Sequence, residues 1–91
     1  MKVLAAYDVS DDRRREHIVR ILQDYGQRVQ ESVFWLEADA MLIANMRERI
    51  RREIDEETDS LWILMLCEAC VQKVETIGVQ SVPGVPAFYI V

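Results

Sequence analysis

The strongest constraint in this chain is the order in which two hydrophobic periods follow one another. The opening run "KVLAAYDV" is short and almost continuously apolar, which suits a central strand covered on both faces. The period then changes. Ile18, Ile21, Leu22 and Tyr25 fall at i, i+3, i+4 and i+7 and make one apolar helix face. Ser10, Asp11 and Asp12 stand ahead of it with side-chain oxygens able to cap free backbone N–H groups, and Gly26 is expected to close it in the left-handed conformation. "QRVQESVFWLEA" returns to a period of two, with Val29, Val33 and Trp35 on one parity and Phe34 and Leu36 on the other. Two short strands joined near residues 30–32 follow from that. Asp39 then occupies an N-cap position before a second helix whose apolar face is Ile43, Met46, Ile50 and Ile54. Glu48 with Arg52, and Arg49 with Glu53, have the i, i+4 spacing of surface ion pairs on that helix. "SLWILMLC" is a further apolar run, read as a buried strand, and a brief helical turn, a short strand "VETIG", a loop and "AFYIV" complete the chain.

The order strand, helix, strand, strand, helix, strand predicts an α+β, ferredoxin-like βαββαβ fold, an antiparallel sheet with both helices on one face. Ninety-one residues, 51% of them hydrophobic, suffice for one such sheet and helix layer and are too few for two cores. Residues 1–78 are read as the ferredoxin-like domain and 79–91 as a C-terminal loop and strand of the same domain. Phe88, Tyr89, Ile90 and Val91 are apolar and β-favouring. An unpaired strand of this kind would invite aggregation, so it is expected to pair across the two-fold axis of a homodimer.

No run approaches the roughly 18 apolar residues of a membrane span, and Asp8 interrupts "MKVLAAY" before it could form a signal-peptide core; a cytoplasmic location is the expectation. Cys67 and Cys70 form a lone CxxC. With His17 the sole histidine and far away in sequence, they are read as small packing residues at a strand end rather than a zinc or redox site. The net charge of −5 argues against an all-over nucleic-acid coat, yet nine of the eleven cations are arginine, in clusters at 13–28 and 47–52. Arginine makes forked contacts to phosphate, and the same clusters also suit solvated helix faces.

One centre stands out. Asp8 ends the first apolar run, and Arg13, Arg14 and Arg15 follow within a few residues. An acid beside cations can be helix-start chemistry, with Asp8 satisfying backbone donors in the loop, or half of a phosphate-handling site. The residues alone leave both open.

The segment "YDVSDDRRREHIVRILQDYGQRVQESVF", from Tyr7 to Phe34, resembles the signature of the small CRISPR-associated Cas-two proteins: Tyr7-Asp8 at a strand end, an arginine-rich helix start at Arg13, Arg14 and Arg15, then Tyr25-Gly26, Arg28-Val29-Gln30 and Ser32-Val33-Phe34. "LCEACVQKVETIG" is similar to the segment after the fourth strand in many members. The resemblance implies a ferredoxin-like homodimer seated between two dimers of the CRISPR integrase, helping to insert new spacers and holding duplex DNA through its backbone. It implies as well a magnesium-dependent endonuclease of single-stranded RNA or double-stranded DNA, with Asp8 as catalytic residue and metal ligand. Arg13, Arg14, Arg15 and Arg28 are the residues expected to meet phosphate. One carboxylate is a weak site for Mg2+, which takes octahedral oxygen coordination, so Asp8 of a two-fold mate is expected to complete it. Other classes fit the same residues: a stand-alone, toxin-like metal-dependent endoribonuclease, or a ferredoxin-like dimer binding a small molecule, the latter without a glycine-rich loop to support it.

Overall fold

A computed structural model describes residues 1–78; the expected terminal strand, with Phe88, Tyr89, Ile90 and Val91, lies outside the described residues. Strand β1 (Lys2–Asp8) leads into helix α1 (Asp12–Gln23), strands β2 (Gly26–Gln30) and β3 (Val33–Glu37), helix α2 (Ala40–Arg51), strand β4 (Ser60–Leu66) and a one-turn helix α3 (Glu68–Val71). The four strands form one antiparallel sheet in the order β2-β3-β1-β4, the ferredoxin-like arrangement expected from the periods. The stretch expected to form a strand at "VETIG" holds only an isolated bridge residue, Ile77. No helix among the described residues is long and apolar enough to cross a membrane.

The helices begin where short polar side chains can take over unpaired N–H groups. Asp11 accepts from the Arg14 N–H at 2.8 Å and Asp39 from the Leu42 N–H at 2.8 Å. Their apolar faces then meet the same side of the sheet. Ile18, Ile21 and Leu22 of α1 and Ile43, Met46 and Ile50 of α2 pack on Val3, Ala5 and Tyr7 of β1 and Phe34 and Leu36 of β3. Phe34, Ile18 and Leu22 are fully buried, and each such side chain stabilises the fold by roughly 1.5–3 kcal/mol. The other face carries a smaller cluster, Val29, Trp35 and Val71, bordered by Leu4, Val33, Leu66 and Val74. Both parities of "RVQESVFWL" thus find apolar partners, and the register of β2 on β3 shifts by one residue between Arg28 and Gln30.

Four expectations need correction. Gly26 is not left-handed: the positive-φ glycine among the described residues is Gly78, and α1 ends on Asp24 in a right-handed conformation. Gly26 instead opens β2 so close to β3 that a Cβ would lie 2.2 Å from the Trp35 carbonyl oxygen. Among the described residues "SLWILMLC" is an edge strand covered on one face, with Leu61 and Ile63 against the core and Trp62 68% exposed. Cys67 and Cys70 lie beyond that strand and are exposed, not packed. The Arg49–Glu53 pair does not form; Arg49 reaches Asp24 at 2.8 Å and the Tyr25 hydroxyl at 3.3 Å, while Glu53 meets His17 at 3.0 Å. Helix α2 ends at Arg51, and a helical i, i+4 spacing no longer applies to Glu53. Arg52 does lie 3.9 Å from Glu48.

Candidate nucleic-acid and metal site at the end of the first strand

Strand β1 alternates its side chains across the sheet, so Tyr7 points into the helix-covered core and Asp8, the last residue, is exposed beyond it. On one side Asp8 is in register with Ser60 of β4. On the other, the Tyr7 N–H donates to the Ser32 carbonyl at 3.0 Å, which brings the β2–β3 turn alongside the strand end. The Tyr7 ring is buried while its hydroxyl reaches that turn, donating to the Glu31 carbonyl at 2.8 Å and accepting from the Arg28 guanidinium at 3.0 Å. Arg28 also lies over the Phe34 ring, 5.6 Å from its centroid, a cation–π contact that further limits where its charge can go.

From the other side comes Arg15, in the first turn of α1. Its guanidinium donates to the Val9 carbonyl at 3.0 Å and pairs with Asp12. The result is an open groove of about 710 Å³ lined by Tyr7, Asp8, Val9, Arg15, Arg28, Glu31 and Ser32. Asp8 also borders a smaller cleft, about 250 Å³, with Ser60 and Trp62. Among the described residues the Asp8 carboxylate pairs with no cation. The capping of α1 falls to Asp11 instead, so helix-start chemistry does not account for Asp8.

The four arginines read from the sequence therefore divide. Arg15 and Arg28 line the groove with Asp8. Arg13 is exposed and outside it. Arg14 turns away to Asp59, its Nε 2.9 Å from one carboxylate oxygen and its Nη2 3.2 Å from the other. The Asp59 side chain is fully buried and also accepts from the Asp55 N–H at 3.1 Å and the Thr58 hydroxyl at 3.2 Å. The hydrogen bond from Arg14 holds this carboxyl below the usual carboxylate range, and Asp59 in turn raises the Arg14 guanidinium. Sequence reasoning passed over Tyr7, Glu31 and Ser32 as groove residues. A phenol at the core-facing end of an apolar strand, directly before an acid, was the available signal for Tyr7.

Magnesium binds hard oxygen donors and keeps several of its waters. The groove is lined by two acidic residues that pair with no cation among the described residues, Asp8 and Glu31, with Ser32 beside them, and among the described residues no group of three or more His, Cys, Asp or Glu converges. The donors have the right chemistry and are few. They fit an ion that remains largely hydrated, or one shared with a second copy of Asp8.

A small α+β protein of ferredoxin-like topology, whose central strand delivers a carboxylate without a cation partner among the described residues to a groove lined by arginines, is the class that this fold and site define. The pattern of the family described as CRISPR associated protein Cas2 matches residues 1–74. The CRISPR-associated endoribonuclease Cas2 1 of Chloroflexus aurantiacus is 43% identical over 79 residues, 86% of this chain and 85% of its own. The CRISPR-associated endonuclease Cas2 2 of Thermus thermophilus is 40% identical over 78 residues, 86% of this chain and 82% of its own. The crystal structure of Streptococcus pyogenes Cas2 superposes with a TM-score of 0.76 at 36% identity, covering 86% of this chain and 100% of that one. The chain belongs to the CRISPR-associated Cas2 family.

Proposed function

We propose that the chain is a CRISPR adaptation protein that works with the CRISPR integrase to acquire spacers, binds duplex DNA through its backbone, and carries a magnesium-dependent endonuclease centre at Asp8. The observation that carries this reading is the placement of Asp8, free of any cation partner among the described residues, in one groove with Arg15 and Arg28. Membership of the CRISPR-associated Cas2 family supports the adaptation role and an integrase partner, and relatives bear the names endoribonuclease and endonuclease.

The residues divide the work by chemistry. Arg28, positioned by the Tyr7 hydroxyl and the Phe34 ring, presents a planar fork suited to phosphate oxygens. Arg15 holds its charge in the same groove, tethered to Val9 and Asp12. Together they orient a phosphodiester and offset its charge without reading a base edge, which makes binding insensitive to sequence. Asp8, with its counterpart in a two-fold mate, would hold Mg2+, which when bound supplies charge stabilisation and an acidified water. His17 is on the far side of α1, against Glu53, and takes no part. The names of the relatives favour RNA as a second substrate for the same centre.

The test is Asp8→Asn, which keeps the shape and removes the charge. Magnesium-dependent cleavage of RNA and of duplex DNA is expected to fall to background, with duplex affinity and co-purification with the integrase retained. Cleavage that survives removes Asp8 as the metal ligand; loss of duplex binding in a folded protein shows that binding and cleavage cannot be separated.

A further inference from the structure

The Cys67–Cys70 pair is unused by the site at Asp8. The two sulfur atoms lie 3.3 Å apart, in hydrogen-bond contact, and both residues are exposed. Cys67 directly follows β4 and Cys70 lies within α3, whose next residue, Val71, is buried against the second face of the sheet beside Val29 and Trp35. Cys67 is the N-cap residue of α3 and Cys70 stands three residues on, so one helical turn, closed by the Val71 N–H to the Cys67 carbonyl at 2.9 Å and anchored by buried Val71, sets the two sulfurs side by side.

We propose that Cys67 and Cys70 form a thiol–disulfide exchange site that reacts with small-molecule disulfides such as glutathione disulfide. The Cys67 thiolate attacks one sulfur of the small disulfide, whose S–S bond breaks; one small thiolate leaves and takes up a proton. The mixed disulfide on Cys67 is then attacked by Cys70 as it loses its proton. The Cys67–Cys70 bond forms and the second small thiolate departs, also to be protonated. The chain gives up two electrons and two protons, and the small disulfide becomes two thiols. The assignment of roles agrees with the environment. Backbone N–H groups, first that of Cys70, and the Cys70 thiol draw the Cys67 thiol below its ordinary range, while the neighbouring Cys67 sulfur pushes Cys70 up. The more acidic thiol supplies the attacking thiolate, and the other resolves the mixed disulfide. A structural zinc site asks for four ligands, and among the described residues no group of three or more ligating side chains converges here.

The test uses the purified full chain, reduced, freed of metal by a chelator, and equilibrated with mixtures of reduced and oxidised glutathione before rapid alkylation and intact-mass analysis. The wild type is expected to pass from two alkyl adducts to none, with a mass two hydrogens lower, as oxidised glutathione increases. Cys70→Ser should accumulate one glutathione on Cys67. Cys67→Ser should take up glutathione more slowly than Cys70→Ser, because the backbone N–H groups that lower a thiol here act chiefly on Cys67. Two alkylatable thiols throughout the series, a disulfide joining two chains, or equal rates in the two serine variants would each overturn the proposal. So would stoichiometric zinc in the protein as isolated that shields both thiols until chelator is added.

Discussion

The Arg14 guanidinium and the Asp59 carboxylate, 45 positions apart, meet in a two-pronged contact at 2.9 and 3.2 Å, with the Asp59 side chain fully buried. The pair joins the first turn of α1 to the loop before β4. Because Asp59 also accepts from Asp55 and Thr58, it organises a segment that would otherwise be a solvated acidic run.

Removing either partner should therefore destabilise the fold without touching the groove. Asp59→Asn and Arg14→Ala are both expected to lower Tm by several degrees, since each strands a polar group that has lost its partner. The pH dependence has a definite sign. The folded-state pKa of Asp59 is below its unfolded value, so the unfolded chain binds more protons and stability rises with pH. This contribution is complete above the unfolded carboxylate pKa of about 4 and is lost as pH falls below it. Glu37, lowered by Lys2, acts in the same direction. Denaturation curves of wild type and Asp59→Asn should converge as pH drops from 5 toward 2; a constant gap would show that Arg14 does not hold the Asp59 charge.

Arg28 and Arg14 should separate in binding experiments. Arg28→Ala is expected to weaken duplex DNA and RNA binding alike for unrelated sequences and to reduce the salt slope by about 0.9. Arg28→Lys keeps the charge and loses the fork, so only part of the affinity should return. Arg14→Ala, measured below its own Tm, should leave the slope unchanged. An unaltered slope for Arg28→Ala in titrations at two salt concentrations would assign this arginine to the Tyr7–Glu31 turn alone.

Gly26→Ala is a sharper probe of β2 than its position after a helix implies. The new methyl group would meet the Trp35 carbonyl and the Leu36 Cα, both backbone and unable to rotate aside, so β2 must shift from β3. A loss of about 1–3 kcal/mol in denaturant unfolding is expected, together with weaker binding at Arg28 on the same strand. A variant as stable as wild type would mean that the two strands separate at little cost.

Trp62, 68% exposed, with Leu64 and Met65, leaves an apolar stretch on an edge strand. A homodimer covering that strand predicts that Trp62→Glu, or deletion of residues 87–91, moves the protein to monomer or aggregate in light scattering. A monodisperse dimer in both variants would place the interface elsewhere.

The sequence by itself determined the features that depend on near neighbours. Each strand and helix is encoded by the period of its own apolar residues, and Asp11 and Asp39 cap helices because the N–H groups they accept from are three residues away. Asp8 could be placed at a strand end for the same reason. Only the tertiary structure decided which long side chains meet across the fold. Arg13, Arg14 and Arg15 are consecutive on one helix turn and point in different directions, so one is exposed, one is held by buried Asp59, and one lines the groove. Arg49 chose Asp24 and Tyr25 over Glu53 because α2 packs beside the end of α1 and stops before Glu53. Gly26 is required by the distance between two strands, not by its φ, and Cys67 and Cys70, beyond the end of β4, are exposed. Periodicity reports which face of an element is buried; the partner on that face, and the side chains left free for chemistry, depend on distances between segments that no local pattern records.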